Sequence, residues 1–398
     1  MPLTQQSPRA AATTPPATAV TFLDLARHLE PAECERLERI DQQLQATLRP
    51  ASIEPWNQEE FPQKLLPGLG ALGLGETFAD GSSHLFQGLA SAAVARADIS
   101  ISALLGIHNE LILGTIATLG SAEQKQTWLP RLRSLESLGA FCLTEPEHGS
   151  DIAGGLATTA RRTAQGWHIA GAKRWIGVGT IADIAIVWAR DTADQQIKGF
   201  LVPTDAPGYS AQKISNKTGL RIMQNADVQL DVTIPANAQL PGASSFSATN
   251  ELLMSSRAWV GWQAVGAQQA LLDVMSAYAG QREQFGRPID SFQLIQAKLA
   301  EVAGNLTASA AMMADTADLQ ARGELTMMRA SMAKATLTRL ARSSAAIARE
   351  SLGGNGLVSD FEAAKIAGDV EAIYTYEGSY HINSLIVGRA LTGVSAFI

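Results

Sequence analysis

Cysteine is almost missing from this chain: Cys34 and Cys142 are the only two in 398 residues, and they lie far apart. They form no CxxC pair and no disulfide framework, so a reducing compartment is the default. Positive charge is also short, with 31 Lys and Arg against 38 Asp and Glu, a net charge of −7. No basic surplus exists to neutralise a phosphate backbone, which argues against a nucleic-acid partner. A small nucleotide ligand needs only two or three basic groups and stays open. No apolar run of 18 or more residues lacks a charge or a turn residue, so no membrane span is expected. The six histidines show no metal-ligand spacing, and no metal is expected. The first stretch, to about Val20, is rich in Ala, Thr and Pro and has no apolar core of signal-peptide type. It is expected to be a disordered tail, and its single Arg9 argues against a transit peptide.

What is present is ordinary globular material, 46% hydrophobic and 17% charged, and more than one core usually serves. Residues 21–138 read as helical. The segment from Glu30 to Leu48 has apolar teeth at helical spacing, and that from His84 to Leu119 reads as a buried helix pair. Ser121-Ala122-Glu123-Gln124 has the form of a capping box. Residues 139–245 carry short strand-like runs broken by turns, among them Ile184–Trp188, Gly199–Val202 and the alternating Val228–Ile234. Residues 246–398 return to a helical period in four long segments, the last broken near Glu377. The expected fold is α+β and multidomain: an N-terminal α-helical domain, a middle antiparallel β domain and a C-terminal four-helix bundle.

Four segments carry candidate chemistry. In Tyr376-Glu377-Gly378-Ser379 a carboxylate stands among apolar and hydroxyl residues. A Glu with few charged neighbours in a partly dry site makes a usable base, and Gly378 lets a ligand approach the backbone. The plain alternative is a surface Glu beside a turn glycine. Upstream lies Leu352-Gly353-Gly354-Asn355-Gly356. Leu143-Thr144-Glu145-Pro146 through Gly149-Ser150-Asp151 sits where the helical half meets the β domain, with donors suited to a phosphate or a ring carbonyl. Arg282 to Pro288, followed by Gln293, could cradle a diphosphate, or be a helix C-cap at Gly286 with a breaking Pro288. Gly68-Leu69-Gly70-Ala71-Leu72-Gly73 matches the dinucleotide fingerprint literally but lacks a strand before it and a helix after it, so it is set aside.

Taken in this order, the segments resemble the acyl-CoA dehydrogenase family of flavoproteins, over the chain from about residue 25 to its end. Lys173-Arg174-Trp175-Ile176-Gly177, Asn216-Lys217 with Gly219-Leu220-Arg221, and Gly388 to Gly393 look most like the branch holding glutaryl-CoA dehydrogenases and plant short-chain acyl-CoA oxidases. The resemblance implies FAD between the β domain and the C-terminal bundle of a homotetramer. It makes Glu377 the base that takes the α-proton of an acyl-CoA, while the β-hydrogen leaves as hydride to the flavin. The thioester oxygen would be polarised by the backbone N–H of Glu377 and a ribityl hydroxyl. Leu143, Thr144, Ser150 and Ser379 would meet the cofactor, with Trp175 and Ile176 against its ring. Arg282, Phe285 and Gln293 would bind the FAD of the adjacent subunit, with Gly353 and Gly354 at its diphosphate. Ser150, Arg257, Gly378 and Arg389 would serve the substrate.

Two departures from the family pattern matter. Gly177 stands where many relatives have Thr, removing a hydroxyl near the flavin. Glutaryl-CoA enzymes carry an Arg after Arg-x-Asp that pairs the distal carboxylate; here Arg96-Ala97-Asp98 is followed by Ile99-Ser100-Ile101-Ser102. The resemblance therefore implies dehydrogenation of a short- to medium-chain monocarboxylic acyl-CoA, with electron-transfer flavoprotein as acceptor. The alternatives are an oxidase using O2 and a glutaryl-CoA-type dehydrogenase. The alanine-rich composition points to a bacterial, cytoplasmic protein.

Overall fold

The computed structural model describes residues 22–77 and 81–396; the tail expected at residues 1–20 lies outside them. The N-terminal helices are α1 (Pro31–Ala51), α2 (Ile53–Gln58), α3 (Leu66–Ala71), α4 (His84–Ala97), α5 (Ile99–Gly106), α6 (Gly114–Leu119) and α7 (Ala122–Arg133). The literal glycine fingerprint falls on α3 and the turn after it, with no strand leading in, so it builds no dinucleotide turn. The capping box at α7 forms as expected: Gln124 N donates to Ser121 Oγ at 3.2 Å and Ser121 N to Gln124 Oε1 at 2.8 Å. Asp98 leaves the helical region (φ −160°) and caps α5 through Ile101 N at 2.7 Å, splitting the apolar stretch in two. Between α5 and α6 runs a π-helical turn, Ile107–Leu113. The continuous segment Ile99–Leu119 has the length and mean hydropathy (1.5) of a membrane helix, yet 89% of its most apolar 18-residue stretch is buried against protein. It is a core helix, and the π turn sets His108, Asn109 and Glu110 inside the fold.

The middle domain is a seven-stranded sheet: β1 (Gly139–Cys142), then, after a short helix α8 (Ile152–Gly155), β2 (Thr159–Thr163), β3 (Gly166–Ile176), β4 (Ile184–Asp191), β5 (Ile197–Pro203), β6 (Tyr209–Lys213) and β7 (Ala226–Ile234). The order is β1-β4-β2-β3-β7-β6, with β5 also on β4. The sheet is mixed, a correction to the antiparallel expectation: β4 runs parallel to both β1 and β2. Hairpin reasoning sees sequential neighbours, and these pairings join strands that are not sequential. In β7, Val228, Leu230, Val232 and Ile234 face in and Gln229, Asp231 and Thr233 face out, as the alternation predicts.

Among the described residues the C-terminal part holds α9 (Asn250–Gln281), α10 (Gln293–Ala321), α11 (Met327–Ser351), α12 (Ala363–Thr375) and α13 (Tyr380–Thr392), the last two being the segment expected to break near Glu377. They are parted at Tyr376–Ser379. A hairpin, β8 (Glu283–Gln284) and β9 (Arg287–Pro288), joins α9 to α10. One buried carboxylate ties all three domains. Asp369 of α12 accepts from Trp56 Nε1 of α2 at 2.8 Å, from Leu220 N of the β domain at 2.6 Å and from Ser100 Oγ of α5 at 3.4 Å. Helices α4 and α9 pack so closely that a Cβ on Gly88 would lie 2.1 Å from the Trp262 ring. Gly88→Ala is therefore expected to lose about 1–3 kcal/mol in a denaturation experiment, as overpacked core positions do.

Candidate active site

Glu377 (φ 55°) and Gly378 (φ 78°) are both left-handed and turn the chain between α12 and α13. Gly378 suits that conformation, and a Cβ there would also press on Asn383 Nδ2 at 3.0 Å. Glu377 holds it as a non-glycine residue, a strained state that the surroundings must enforce. They do so through carbonyls. Lys334 Nζ donates to Tyr374 O at 2.8 Å and Gly378 O at 2.7 Å, and Asn383 Nδ2 donates to Gly378 O at 2.7 Å. Ser379 caps α13 by accepting from Ile382 N at 3.3 Å. The Glu377 carboxylate then meets α9, where Ser256 Oγ donates to its Oε2 at 2.7 Å. The Glu377 backbone N–H finds no partner among the described residues.

The isolation of Glu377 along the chain does not hold in space. Burial drives the Lys334 ammonium down to about 7, opposed by the pull of Glu377. Burial likewise holds Arg257 below its usual value, again against Glu377. Arg257 leans on α9 through Nη1 to Leu253 O at 3.2 Å, while its buried Nε has no partner. That spare donor, with the base beside it, suits the substrate contact expected of Arg257. Arg389 is exposed in the last turn of α13, nine residues beyond the start of that helix, or about 14 Å along it, and is not brought to the base.

The β-domain segment is pinned from beneath. Lys173 is fully buried and donates to Leu143 O at 3.1 Å, Trp188 O at 2.8 Å and Glu145 Oε1 at 2.9 Å. Glu145 also accepts from Ala157 N at 2.6 Å and Thr158 N at 2.9 Å. Burial alone would raise the Glu145 carboxyl, but Lys173 and these donors hold it below the usual range. A bulge between Lys173 and Ile176 in the β3–β7 ladder expels Trp175, left-handed at φ 64° and 52% exposed. Arg174 N donates to Thr144 O at 2.9 Å, which ties the Thr144 segment to the strand end that carries the exposed Trp175 ring. Leu143 and Ile176 are buried, and Ser150 is exposed in the turn where His148 Nδ1 meets Asp151 at 2.8 Å. Gly177 abuts Ile107 of the π turn, where a Cβ would stand 3.2 Å from Ile107 Cδ1.

The remaining candidates lie elsewhere. Gln284 and Arg287 pair across a two-residue turn of Phe285 (φ 53°) and Gly286 (φ 78°), a hairpin rather than a helix C-cap. It leaves Arg282 and Gln293 exposed and Phe285 94% exposed. Gly353 and Gly354 belong to the same end, since Tyr278 Oη donates to Leu352 O at 3.3 Å and accepts from Asn355 Nδ2 at 3.0 Å. Both glycines are exposed, and a Cβ on either would meet nothing within 4 Å. From Arg257 to Arg282 along α9 is about 37 Å, so these residues cannot serve the Glu377 of their own chain.

Sequence reasoning missed Ser256, Lys334, Lys173 and Glu110. Only Ser256 carried a signal, as a hydroxyl directly before the singled-out Arg257. Glu110 is buried on the π turn and accepts from Ser255 Oγ at 2.5 Å. Burial raises its carboxyl to about 8; Ser255 opposes this and Glu377 adds to it. A carboxyl raised on folding stabilises the fold below its unfolded value, near 4.5, and loses that contribution as pH rises through about 8. Glu110→Gln should therefore remove a fall in stability between these pH values, read as the wild-type-minus-variant difference in denaturation midpoint.

Family models for the N-terminal, middle and C-terminal domains of acyl-CoA dehydrogenases match residues 33–136, 140–233 and 246–392. The chain belongs to the acyl-CoA dehydrogenase family. It is 32% identical over 356 residues, 86% of each chain, to the mitochondrial short-chain specific acyl-CoA dehydrogenase of Bos taurus. A crystal structure of glutaryl-CoA dehydrogenase from Mycobacterium smegmatis superposes with TM-score 0.90 at 36% identity, covering 95% of this chain and 98% of that one. Another, of a Mycobacterium smegmatis glutaryl-CoA dehydrogenase in complex with FADH2, gives 0.91 at 33% identity, with the same coverage. This acyl-CoA dehydrogenase is an FAD-dependent oxidoreductase, and its residues fit that cofactor. Thr144 and Trp175, on backbone tied together at Arg174, offer a hydroxyl and an exposed aromatic plane, and Gly353–Gly354 with Arg282 offers bare backbone and a cation for a diphosphate.

Proposed function

We propose that this enzyme dehydrogenates short- to medium-chain monocarboxylic acyl-CoA thioesters with Glu377 as the base. One observation carries the reading: the Glu377 carboxylate and its own unpartnered N–H are presented together at a strained helix break. The carboxylate takes the α-proton, and Ser256 fixes the oxygen that remains. The N–H receives the thioester oxygen, where negative charge develops. Arg257 and Lys334 lend positive charge to the same corner. Thr144, Trp175 and Ile176 would hold the ring of FAD, with Leu143, Ser150 and Ser379 beside it, and the bound cofactor would supply the hydride acceptor for the β-hydrogen.

The hairpin cluster of Arg282, Phe285, Gln293, Gly353 and Gly354 would hold the cofactor of a neighbouring subunit, which accounts for its distance from Glu377. A homotetramer closes that gap and covers exposed Phe285, Leu294 and Leu357. Electron-transfer flavoprotein is the acceptor; rapid reoxidation of the reduced enzyme in air would assign oxygen instead.

The cavity next to the base, lined by Ser102 and Glu110 among others, gives a distal carboxylate no partner of Lys or Arg type among the described residues. Burying an unpaired charge is costly. Steady-state assay should give a kcat/KM for butyryl- or hexanoyl-CoA at least tenfold above that for glutaryl-CoA. The reverse order would overturn the monocarboxylic assignment.

A further inference from the structure

The space beside the base is not lined by apolar groups alone: Leu74, Val94, Leu105, Trp259 and Trp262 share it with polar side chains. Helix α9 places consecutive hydroxyls on two carboxylates, Ser256 on Glu377 and Ser255 on Glu110. One turn on, Trp259 lines a cavity of about 50 Å³ and meets Tyr376 with ring centroids 6.3 Å apart. The cavity therefore adjoins the place where the α-carbon must sit. It has room for about three water-sized groups. Its polar lining includes Gln87, Ser91, Ser102, Asn109, Glu110 and Ser255.

Several of these are already occupied. Ser102 accepts from Gln263 Nε2 at 3.1 Å, Asn109 donates to Leu74 O at 2.9 Å and Leu105 O at 2.8 Å, and Gln87 donates to Ser82 O at 2.9 Å. Among the polar lining atoms with no partner among the described residues are two on neighbouring helical segments. Ser91 Oγ, on α4, is buried with no partner among the described residues. Glu110 has Ser255 on Oε2 and nothing on Oε1 among the described residues. A hydrocarbon tail would leave both unpaired and dry, at about 1–3 kcal/mol each.

Resting on the assignment of Glu377 as base, we infer that this cavity takes an acyl group whose far part carries an uncharged hydrogen-bonding substituent, a hydroxyl or an oxo group. Ser91 and Glu110 are the residues that select it. The raised Glu110 carboxyl keeps its proton at neutral pH, so it donates to the substituent oxygen, and Ser91 completes the pairing. A site built around a substrate hydroxyl discriminates strongly against the analogue that lacks it.

The test compares anaerobic flavin reduction of the holoenzyme by hexanoyl-CoA and by its 4-, 5- and 6-hydroxy derivatives. At least one hydroxylated isomer should exceed hexanoyl-CoA by tenfold or more in the rate constant for flavin reduction divided by the dissociation constant. Glu110→Leu should bring that ratio to one or below by improving hexanoyl-CoA, and Ser91→Ala should lower it independently. A wild-type enzyme that uses hexanoyl-CoA as well as or better than every hydroxylated isomer overturns the inference. Equal bleaching by all four thioesters would remove only this specificity; bleaching by none of these or of shorter acyl-CoAs would remove the base assignment itself.

Discussion

Glu377→Gln is expected to slow flavin reduction by butyryl- or hexanoyl-CoA by a factor of about 10²–10⁴, the range for a positioned general base. The substitution keeps the size of the side chain and an oxygen able to accept from Ser256. It removes only the capacity to take a proton. The left-handed turn at Gly378, its ties to Lys334 and Asn383, and the Ser379 cap do not involve the carboxylate. FAD content and denaturation midpoint should therefore match those of the wild type. Stopped-flow absorbance under argon separates the outcomes: slow bleaching with full cofactor supports the base, whereas loss of FAD would show a structural role.

The largest expected loss of stability lies at Lys173. Its ammonium is fully buried and surrounded by three oxygens, and its partner Glu145 is nearly as deep. Lys173→Met would leave a carboxylate in the interior with two backbone donors but no cation. Removing one member of such a pair typically costs about 3–5 kcal/mol. Lys173→Met with Glu145→Gln should recover part of that, because no net charge stays buried. The same pair fixes the Leu143 carbonyl and the segment under Thr144 and Trp175, so the single variant should also retain less FAD. Guanidinium denaturation of both variants checks this. A loss under about 1 kcal/mol for Lys173→Met would contradict the role given to the pair.

Local signals made much of the architecture legible. The Ser121 capping box, the alternation in β7 and the break at Glu377 each depend on neighbours within a few residues. Of the ten left-handed non-glycine residues among the described residues, Trp175, Asn216, Leu220, Phe285 and Glu377 fall in segments singled out from sequence, although nothing in a sequence announces their backbone angles. Lys173 read as part of a segment resembling one family branch and not as a buried residue, because its partner stands 28 residues away and no local pattern marks a lysine as interior. The parallel pairing of β1 with β4 is hidden for the same reason. Glu110 stood unnoticed in an apolar run; the π turn and the fold of α9 bring it beside the base. Nor does spacing reveal that Arg282 and Gly353 lie a whole helix length from Glu377.

The α-proton can be followed apart from the redox step. Acetyl-CoA has α-hydrogens and no β-carbon, so it can exchange but cannot be dehydrogenated. In D2O, proton NMR of acetyl-CoA with the wild-type holoenzyme should show loss of the methyl signal, and Glu377→Gln should slow that exchange at least a hundredfold. Equal exchange rates in the two proteins would contradict Glu377 as the group that takes the proton.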